Sequence, residues 1–541
     1  MSRKKKEKSL RKNDVTAKIL SPETLFGNLY ISLTDKKLYS PSVFFFATFI
    51  TCMLCYFRHM IYGLGCPDSV AEGVYYYRNA NYSTSQARWM LRYINEFCGK
   101  NVVIPPVTVF LYCLMIGTSA FIICRITKLR NRLYQVILTT LMVSFPVILH
   151  HFAFMYMALA YSFSFLCVTA GTALIRMRKF PAVLFGIICY LMMMGSYQSY
   201  IGAISALALI LFIYDLLSDE KNKNAIINFF LCAFSGITAC LINIPFSKWM
   251  MKIHYVGADG RVSSFSISDI FNNLGFSLKY SYIWFFSYFN NDILSRNRFY
   301  ALILVITVIL SALTAYELLR KKEILKVSLF ILSVALLPVA MNILLVIMPG
   351  NGMRDILRYQ YVLIFALLII LQEHLGKHLI CRLLKYPAII SILFLFTGNV
   401  ISANCTEMMY KLCYDHYEQQ FTLAMGRIYD LEGYRENETR IIIGGAPSCE
   451  IIDLNNPKIF RYAEKDGGPV FWWNVYGMTV CREHYFKDFL GVNPGYVPDS
   501  EYLAIVRSRQ FKDMPVWPEE GSAQMIEGFA VIKFVSEPPV N

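Results

Sequence analysis

The chain has 541 residues, of which 56% are hydrophobic, 15% aromatic and only 16% charged, with a formal net charge of +15 and a mean hydropathy of +0.43. Those proportions exclude an ordinary soluble multidomain protein, because apolar stretches of about 17 to 24 residues recur between short basic connectors. The positive charge needs no nucleic-acid partner, since Lys and Arg beside membrane spans set orientation and touch anionic headgroups.

In chain order, the basic tail 1–41 opens with MSRKKKEKSLRKN. The first apolar run, PSVFFFATFITCMLCYF, reads as a retained helix. Its Lys/Arg head is about 40 residues upstream and no small-residue cleavage site follows it. About eleven spans are expected, centred near Thr51, Thr118, Thr140, Leu166, Cys189, Leu207, Phe234, Val308, Leu336, Leu367 and Leu393. The tail and the connectors RITKLRNR, RMRK, KNK, RKKEILK and KHLICRLLK hold about 26 of the 52 Lys and Arg residues and occupy every second connector. This pattern predicts a multi-pass cell-membrane protein with a cytoplasmic amino terminus and an extracytoplasmic carboxyl-terminal segment. The expected layout is a basic tail (1–41), a transmembrane domain (42–403) with external loops 58–103 and 247–298, and a small extracytoplasmic α/β domain (404–541).

The first external loop, GLGCPDSVAEGVYYYRNANYSTSQARWMLRYI, gathers Asp68, Glu72 and Arg88 in a chain poor in charge. Ser69 with Glu72 fits a capping box, whose side chains satisfy backbone N–H groups at a helix start. An acid at the outer surface is equally suited to act as a general base, and a capping acid keeps a second oxygen for that work. Six cysteines lie outside the spans, among them Cys66 and Cys98, whose spacing permits a disulfide without establishing one.

From Pro181 to Leu217, about 37 residues make two crossings around the polar hairpin GSYQSY, so each leg has about 15 to 17 residues. The tip should therefore sit at or below headgroup level, where backbone is tolerated only against protein or a watered cavity. Tyr197, Gln198 and Tyr200 then either line a cavity open to the outer leaflet or belong to an interfacial aromatic belt. The long loop after the seventh span, GADGRVSSFSISDIFNNLGFSLKYSYIWFFSYFNND, alternates polar turns with aromatic stretches suited to the membrane plane. Its Asp259, Arg261 and Asp292 read as solvated charges.

Ionisable residues are nearly absent from span interiors, which argues against an ion-coupled carrier. They collect at the outer ends instead, at His150 and His151 and in GNGMRDILRYQ. Arg354 and Arg358, spaced i,i+4, are expected on one helical face at the outer end of the tenth span. There they either bind a lipid phosphate or anchor the helix at the headgroups beside Asp355. His150 and His151 have no partner at metal-ligand spacing. No metal or other cofactor is expected; a lone Mg²⁺ between Asp68 and a phosphate is the one arrangement left open. In the tail, CYDHYEQQFTLAMGRIYDLEGY reads as an amphipathic helix, ETRIIIGG and EGFAVIKFV as strands, and NPKIF and VFWWNVYG as core aromatics.

The acidic first loop with its later Arg88-Trp89, the YQSY hairpin, the Arg-rich turn before a late span, and the ending MPVWPEEGSAQMIEGFAVIKF together resemble the bacterial Gtr-type glucosyltransferases of the GT-C superfamily. The resemblance runs from about the first span to the tail. It implies a GT-C-like fold and inverting transfer of a hexose, typically glucose, from an undecaprenyl-phosphate carrier to a cell-surface polysaccharide outside the membrane. By the same resemblance Asp68 is the base that deprotonates the acceptor, with Glu72 as second acid or acceptor ligand. Arg354, Arg358, Arg88 and Trp89 then hold the donor, and Tyr197, Gln198 and Tyr200 hold the sugar or the lipid groove. The sequence departs from the pattern twice, with Cys66-Pro67-Asp68 in place of a double Asp and Ala87 in place of the glycine of Gly-Arg-Trp. Three other readings use the same layout: a lipid-linked sugar flippase or exporter, a surface-glycan ligase or polymerase, and a non-catalytic scaffold for wall assembly.

Overall fold

A computed structural model of the chain describes residues 41–66, 69–70, 77, 80–129, 131–218, 222–259, 267–290, 298–348, 355–376, 379–463, 481 and 483–538. The main helices are α1 (Pro41–Tyr62), α2 (Trp89–Gly99), α3 (Pro105–Ile126), α4 (Arg132–Val143), α5 (Val147–Ala153), α6 (Met155–Arg176) and α7 (Phe180–Ser196). They are followed by α8 (Ile201–Leu217), α9 (Asn222–Ile253), α10 (Leu274–Asn290), α11 (Phe299–Arg320), α12 (Ile324–Met341), α13 (Leu363–His374) and α14 (Leu379–Tyr429). Three short strands close the chain: β1 (Ile441–Gly444), β2 (Ala523–Ile526) and β3 (Phe529–Lys533).

Among the described residues, eight helices are long and apolar enough to cross a membrane, and the bent pair α4–α5 makes a ninth. The eight are α1, α3, α6, Gln198–Leu217, α9, α11, α12 and Leu383–Tyr429; the helices at the expected fifth and tenth centres, Phe180–Ser196 and Tyr359–His374, are shorter. Length and composition therefore support eight or nine crossings, where the sequence predicts about eleven. The hairpin legs α7 and α8 are 17 residues each, joined by a single 3₁₀ turn at Gln198–Tyr200.

The helices are sorted by face. In α1, Phe46, Ile50, Leu54, Phe57 and Ile61 form an exposed stripe, while Ala47, Thr48, Thr51, Cys52, Cys55 and Tyr56 are buried. Large apolar residues facing out and smaller or polar ones facing in is the order expected where lipid is the outer solvent. Close approach uses glycine: a Cβ at Gly171 of α6 would sit 3.0 Å from the Gly186 carbonyl oxygen of α7, and one at Gly186 would sit 2.9 Å from the Gly171 carbonyl oxygen.

One break organises the bundle. Pro146 separates α4 from α5, with a 41° bend between them. Having no N–H, it cannot serve the Met142 carbonyl four residues back. The Tyr359 hydroxyl takes that place, donating to the Met142 oxygen at 2.9 Å, and the Tyr56 hydroxyl donates to the next carbonyl, Val143, at 2.9 Å. Backbone freed by a proline inside a membrane bundle must be re-satisfied by neighbouring helices, and two tyrosines do so here.

Two buried polar pairs fasten the helices to one another. His59 Nδ1 lies 2.5 Å from Glu407 Oε2, with both side chains almost fully buried between α1 and α14. Arg176 clasps Asp215 with both terminal nitrogens, at 2.9 and 2.6 Å, and Asn228 donates to the same carboxylate. Arg176 ends α6, Asp215 is near the end of α8 and His59 is near the end of α1, so these groups are near helix ends.

Helix α14 runs unbroken for 51 residues, about 75 Å at the α-helical rise, and position 404, the expected start of the tail domain, lies inside it. Its last part is the amphipathic helix expected in the tail. β1 and β3 fall where ETRIIIGG and EGFAVIKFV place strands; β3 is central, parallel to β1 and antiparallel to β2. One face of the sheet, with Ile441, Ile443, Ala530 and Ile532, packs with Phe421, Met425 and Ile428 of α14; the other, with Ile442 and Val531, packs on Tyr502, Ile505 and Phe511. The MPVWPEEG stretch clamps the same helix: Trp517 Nε1 donates to Gln420 Oε1 at 2.8 Å, and the Arg427 guanidinium lies 4.5 Å from the Trp517 ring centre. VFWWNVYG lies outside the described residues, whereas Phe460 of NPKIF is buried in the core.

Candidate functional site

The six described candidates, Arg88, Trp89, Tyr197, Gln198, Tyr200 and Arg358, lie within one network at the end of the bundle that carries the α7–α8 turn. Asp68, Glu72 and Arg354 lie outside the described residues.

The network is assembled by the α7–α8 turn. Gln198 Nε2 donates to the Gln86 and Ala87 carbonyls at 3.2 and 3.0 Å, tying the turn to the segment that leads into α2. Ala87 adopts a left-handed conformation (φ 61°), a position that glycine fills without strain. Arg88 follows, its guanidinium 5.0 Å from the Tyr197 ring centre and its Nη1 donating weakly to the Met157 sulfur at 3.7 Å. Arg88 has no carboxylate partner among the described residues, and its buried Nε has no hydrogen bond. Trp89 is anchored separately: Nε1 donates to Asn243 Oδ1 of α9 at 3.1 Å, and the indole sits against Gly195, where an added Cβ would come within 2.2 Å of the ring. Gly195→Ala is therefore expected to unseat Trp89 and cost about 1–3 kcal/mol, measured as a lower thermal midpoint in detergent.

Aromatic contacts carry the cluster inward. Tyr197 packs edge-on against Tyr161 (4.7 Å), Tyr161 stacks on His151 (4.2 Å), and Tyr200 lies against Phe165 (6.0 Å) and Tyr359 (6.4 Å). Both hairpin tyrosines are buried, and the Tyr200 hydroxyl has no hydrogen bond. Their rings pack against protein, which is how the turn is accommodated below the surface. His151 is held from both sides. The Ile356 carbonyl can only accept, so Nε2 donates to it at 3.2 Å, and in the neutral ring Nδ1 accepts from the Tyr112 hydroxyl at 2.6 Å.

Arg358 differs from the helical-face expectation. Residues Asp355–Leu357 and Tyr359–Val362 form two 3₁₀ turns, and the α-helix α13 starts at Leu363. A 3₁₀ turn brings residues three apart together. Accordingly Arg358 Nη1 meets Asp355 Oδ1 at 2.5 Å, and Asp355 Oδ2 lies 3.8 Å from His150 Nε2. The three residues after Arg358 are fasteners: Tyr359 bonds Met142, Gln360 Nε2 donates to the Met341 carbonyl at 2.7 Å, and the Tyr361 hydroxyl donates to Asn342 Oδ1 at 2.6 Å.

The chain on either side of Asp68 converges on the same helix α5. The Cys66 N–H donates to the Ala153 carbonyl at 2.9 Å and the Ser69 hydroxyl to the same oxygen at 2.7 Å, while the Tyr414 hydroxyl of α14 donates to the Gly65 carbonyl at 2.7 Å. α5 thus carries His150 toward Asp355, His151 toward Tyr161, and Ala153 toward the two neighbours of the first-loop acid. Among the described residues there is no cluster of three or more metal-ligating side chains.

Sequence reasoning missed the fastening roles of Tyr112, Tyr161 and Tyr359, whose types suit ordinary packing as well. It also missed Glu407, for which a signal existed: a single acid in the apolar stretch GNVISANCTEMMY.

A helical membrane bundle with two arginines, an aspartate and several tyrosines gathered at one end is the class of protein these features define. Residues 72–371 match the family model described as Glucosyl transferase GtrII. The match spans more than half of the chain, and the protein belongs to that family, whose activity requires a sugar donor and an acceptor. It begins at Glu72, so Asp68 and the α14–sheet region lie outside it, whereas Arg88, Trp89, the YQSY turn, Arg354 and Arg358 lie inside. No curated protein and no solved structure matches the chain.

Proposed function

We propose that the protein is an inverting membrane glycosyltransferase that moves a hexose, glucose by the family relationship, from a polyprenyl-phosphate carrier to a surface polysaccharide on the outer face of the cell membrane. The observation that carries this reading is the convergence on one bundle end of an arginine with no carboxylate partner among the described residues and of Cys66 and Ser69, which flank a loop acid. In this reading Asp68 takes the proton of an acceptor hydroxyl as its oxygen attacks the anomeric carbon. The lipid phosphate leaves, and its charge is met by Arg88, which can present a fork of N–H donors. Glu72 binds the acceptor. Arg358, committed to Asp355, positions the turn that bears Arg354. Trp89 and Gln198 keep Arg88 in place, and Tyr197 and Tyr200 wall its surroundings. Residues 42–403 form the catalytic bundle and 404–541 an outer layer for the acceptor.

The test uses purified protein, radiolabelled glucosyl-phosphoundecaprenol and the host's surface glycan. Wild type is expected to transfer label. Arg88→Gln is expected to lose about 10- to 100-fold in kcat/KM, as befits one charge-assisted contact to phosphate. Absence of transfer by wild type would overturn the donor assignment; unchanged kinetics of Arg88→Gln would remove Arg88 from the phosphate.

A further inference from the structure

A cavity at the carboxyl end of α2 takes no part in the chemistry assigned above. It has a volume of about 350 Å³, counting the part open to solvent, and Tyr77, Asn95, Cys98, Asn101, Thr108 and Tyr156 line it together with aliphatic residues. Among the described residues no charged side chain lines it. Its walls are fixed by hydrogen bonds of the chain itself. The Asn101 N–H donates to the Asn95 carbonyl at 3.0 Å, the Asn101 carbonyl accepts from the Tyr77 N–H at 2.7 Å, and Asn95 Nδ2 donates to the Tyr156 carbonyl at 3.0 Å. Tyr77 stacks on Tyr156 with ring centres 5.6 Å apart, and its hydroxyl donates to that of Ser83. Asn101 is thus held by both backbone groups in a left-handed conformation (φ 66°), yet its Oδ1 is buried with no hydrogen-bond partner among the described residues. A buried amide oxygen without a donor costs free energy that a ligand hydroxyl would recover.

We propose that this cavity is a subsite for one uncharged sugar residue of the acceptor glycan, an inference that rests on the glycosyltransferase reading above. A lining without charge suits a neutral ligand. Aromatic and aliphatic walls suit the C–H faces of a sugar ring, and the two asparagine amides suit its hydroxyls, with Asn101 Oδ1 accepting from one of them. The position agrees with the chemistry. Asn95 follows Arg88 by seven residues, about 10 Å along α2, and Tyr156 directly precedes Met157, whose sulfur meets Arg88. A glycan whose reacting hydroxyl faces the Arg88 cluster therefore runs along α2 and places a more distant sugar in the cavity.

Cys98, half-buried in the cavity wall, is a reporter already in place. Full-length protein in a detergent without a sugar headgroup would be alkylated with iodoacetamide at alkaline pH, because burial pushes the Cys98 thiol up, and the labelled cysteines mapped by mass spectrometry. Oligosaccharides released from the host's surface glycan are expected to protect Cys98 in wild type and not in Asn101→Gly, which removes the amide and keeps the left-handed backbone. In that variant the acceptor KM should rise about 3- to 10-fold with kcat nearly unchanged, as for one neutral hydrogen bond. Unaltered Cys98 labelling in wild type would overturn the proposal, as would equal protection of Asn101→Gly or protection by glucosyl-phosphoundecaprenol alone. Labelling needs no turnover, so protection without transfer would count against the donor assignment and not against the subsite. Wild type is decisive by itself if the variant misfolds.

Discussion

Asp68→Asn is expected to slow sugar transfer by at least about 100-fold, and by as much as 10⁴-fold, while leaving donor binding near its wild-type level. Asparagine has the same shape and caps a helix as well as aspartate does, because its side-chain oxygen still accepts from backbone N–H groups. It cannot take a proton from a hydroxyl. A residue that only caps would therefore tolerate the change, and a base would not. The local fold should survive, since Cys66 and Ser69 are fixed to the Ala153 carbonyl through their own N–H and hydroxyl groups. The decisive readouts are initial rate at saturating donor and the dissociation constant for the donor, measured on the same preparation. Wild-type turnover in Asp68→Asn would leave the residue as a cap only and move attention to Glu72, the first residue of the family match.

Glu407→Ala is expected to destabilise the protein by about 3–5 kcal/mol. The glutamate and His59 are each other's polar partner in a nearly dry interface between α1 and α14, and among the described residues no hydrogen bond reaches their remaining ionisable atoms. Truncating one leaves the other buried without compensation. Replacing both by apolar groups of similar volume, as in His59→Phe/Glu407→Met, should restore much of the loss, because buried polar pairs often contribute little net stability over a hydrophobic substitute. Thermal midpoints in detergent for the two single variants and the double variant would decide. If the double variant is as unstable as the sum of the singles, the contact itself is not what holds α1 to α14.

The membrane class and the two strands at ETRIIIGG and EGFAVIKFV were legible in sequence because each rests on local pattern. Apolar length, β-branched runs and polar residues at span ends are all short-range signals. What was not legible depends on which groups meet across the bundle. Arg354 and Arg358 share i,i+4 spacing, yet the backbone from Asp355 onward is 3₁₀, and that pairs Arg358 with Asp355 instead. Tyr359 and Tyr56 look like packing residues until Pro146 is seen to leave the Met142 carbonyl without its usual donor. That one continuous helix, α14, carries the chain past position 404 is likewise seen only in the fold. Arg176 and Asp215 lie 39 residues apart in sequence, and only the fold shows them clasped.

That unbroken helix also fixes the geometry between the bundle and the sheet. A hinge would let the outer layer drift, but a rod transmits both height and phase: each residue added or removed within α14 would lift or lower the sheet by about 1.5 Å and swing it by about 100°. Gln420, Arg427 and Phe421 grip the outer layer from one set of faces, while Glu407 and Tyr414 grip the bundle from the same helix. The sheet is thereby indexed to the bundle like a jig to its workpiece, and the length of α14 sets the distance between the two.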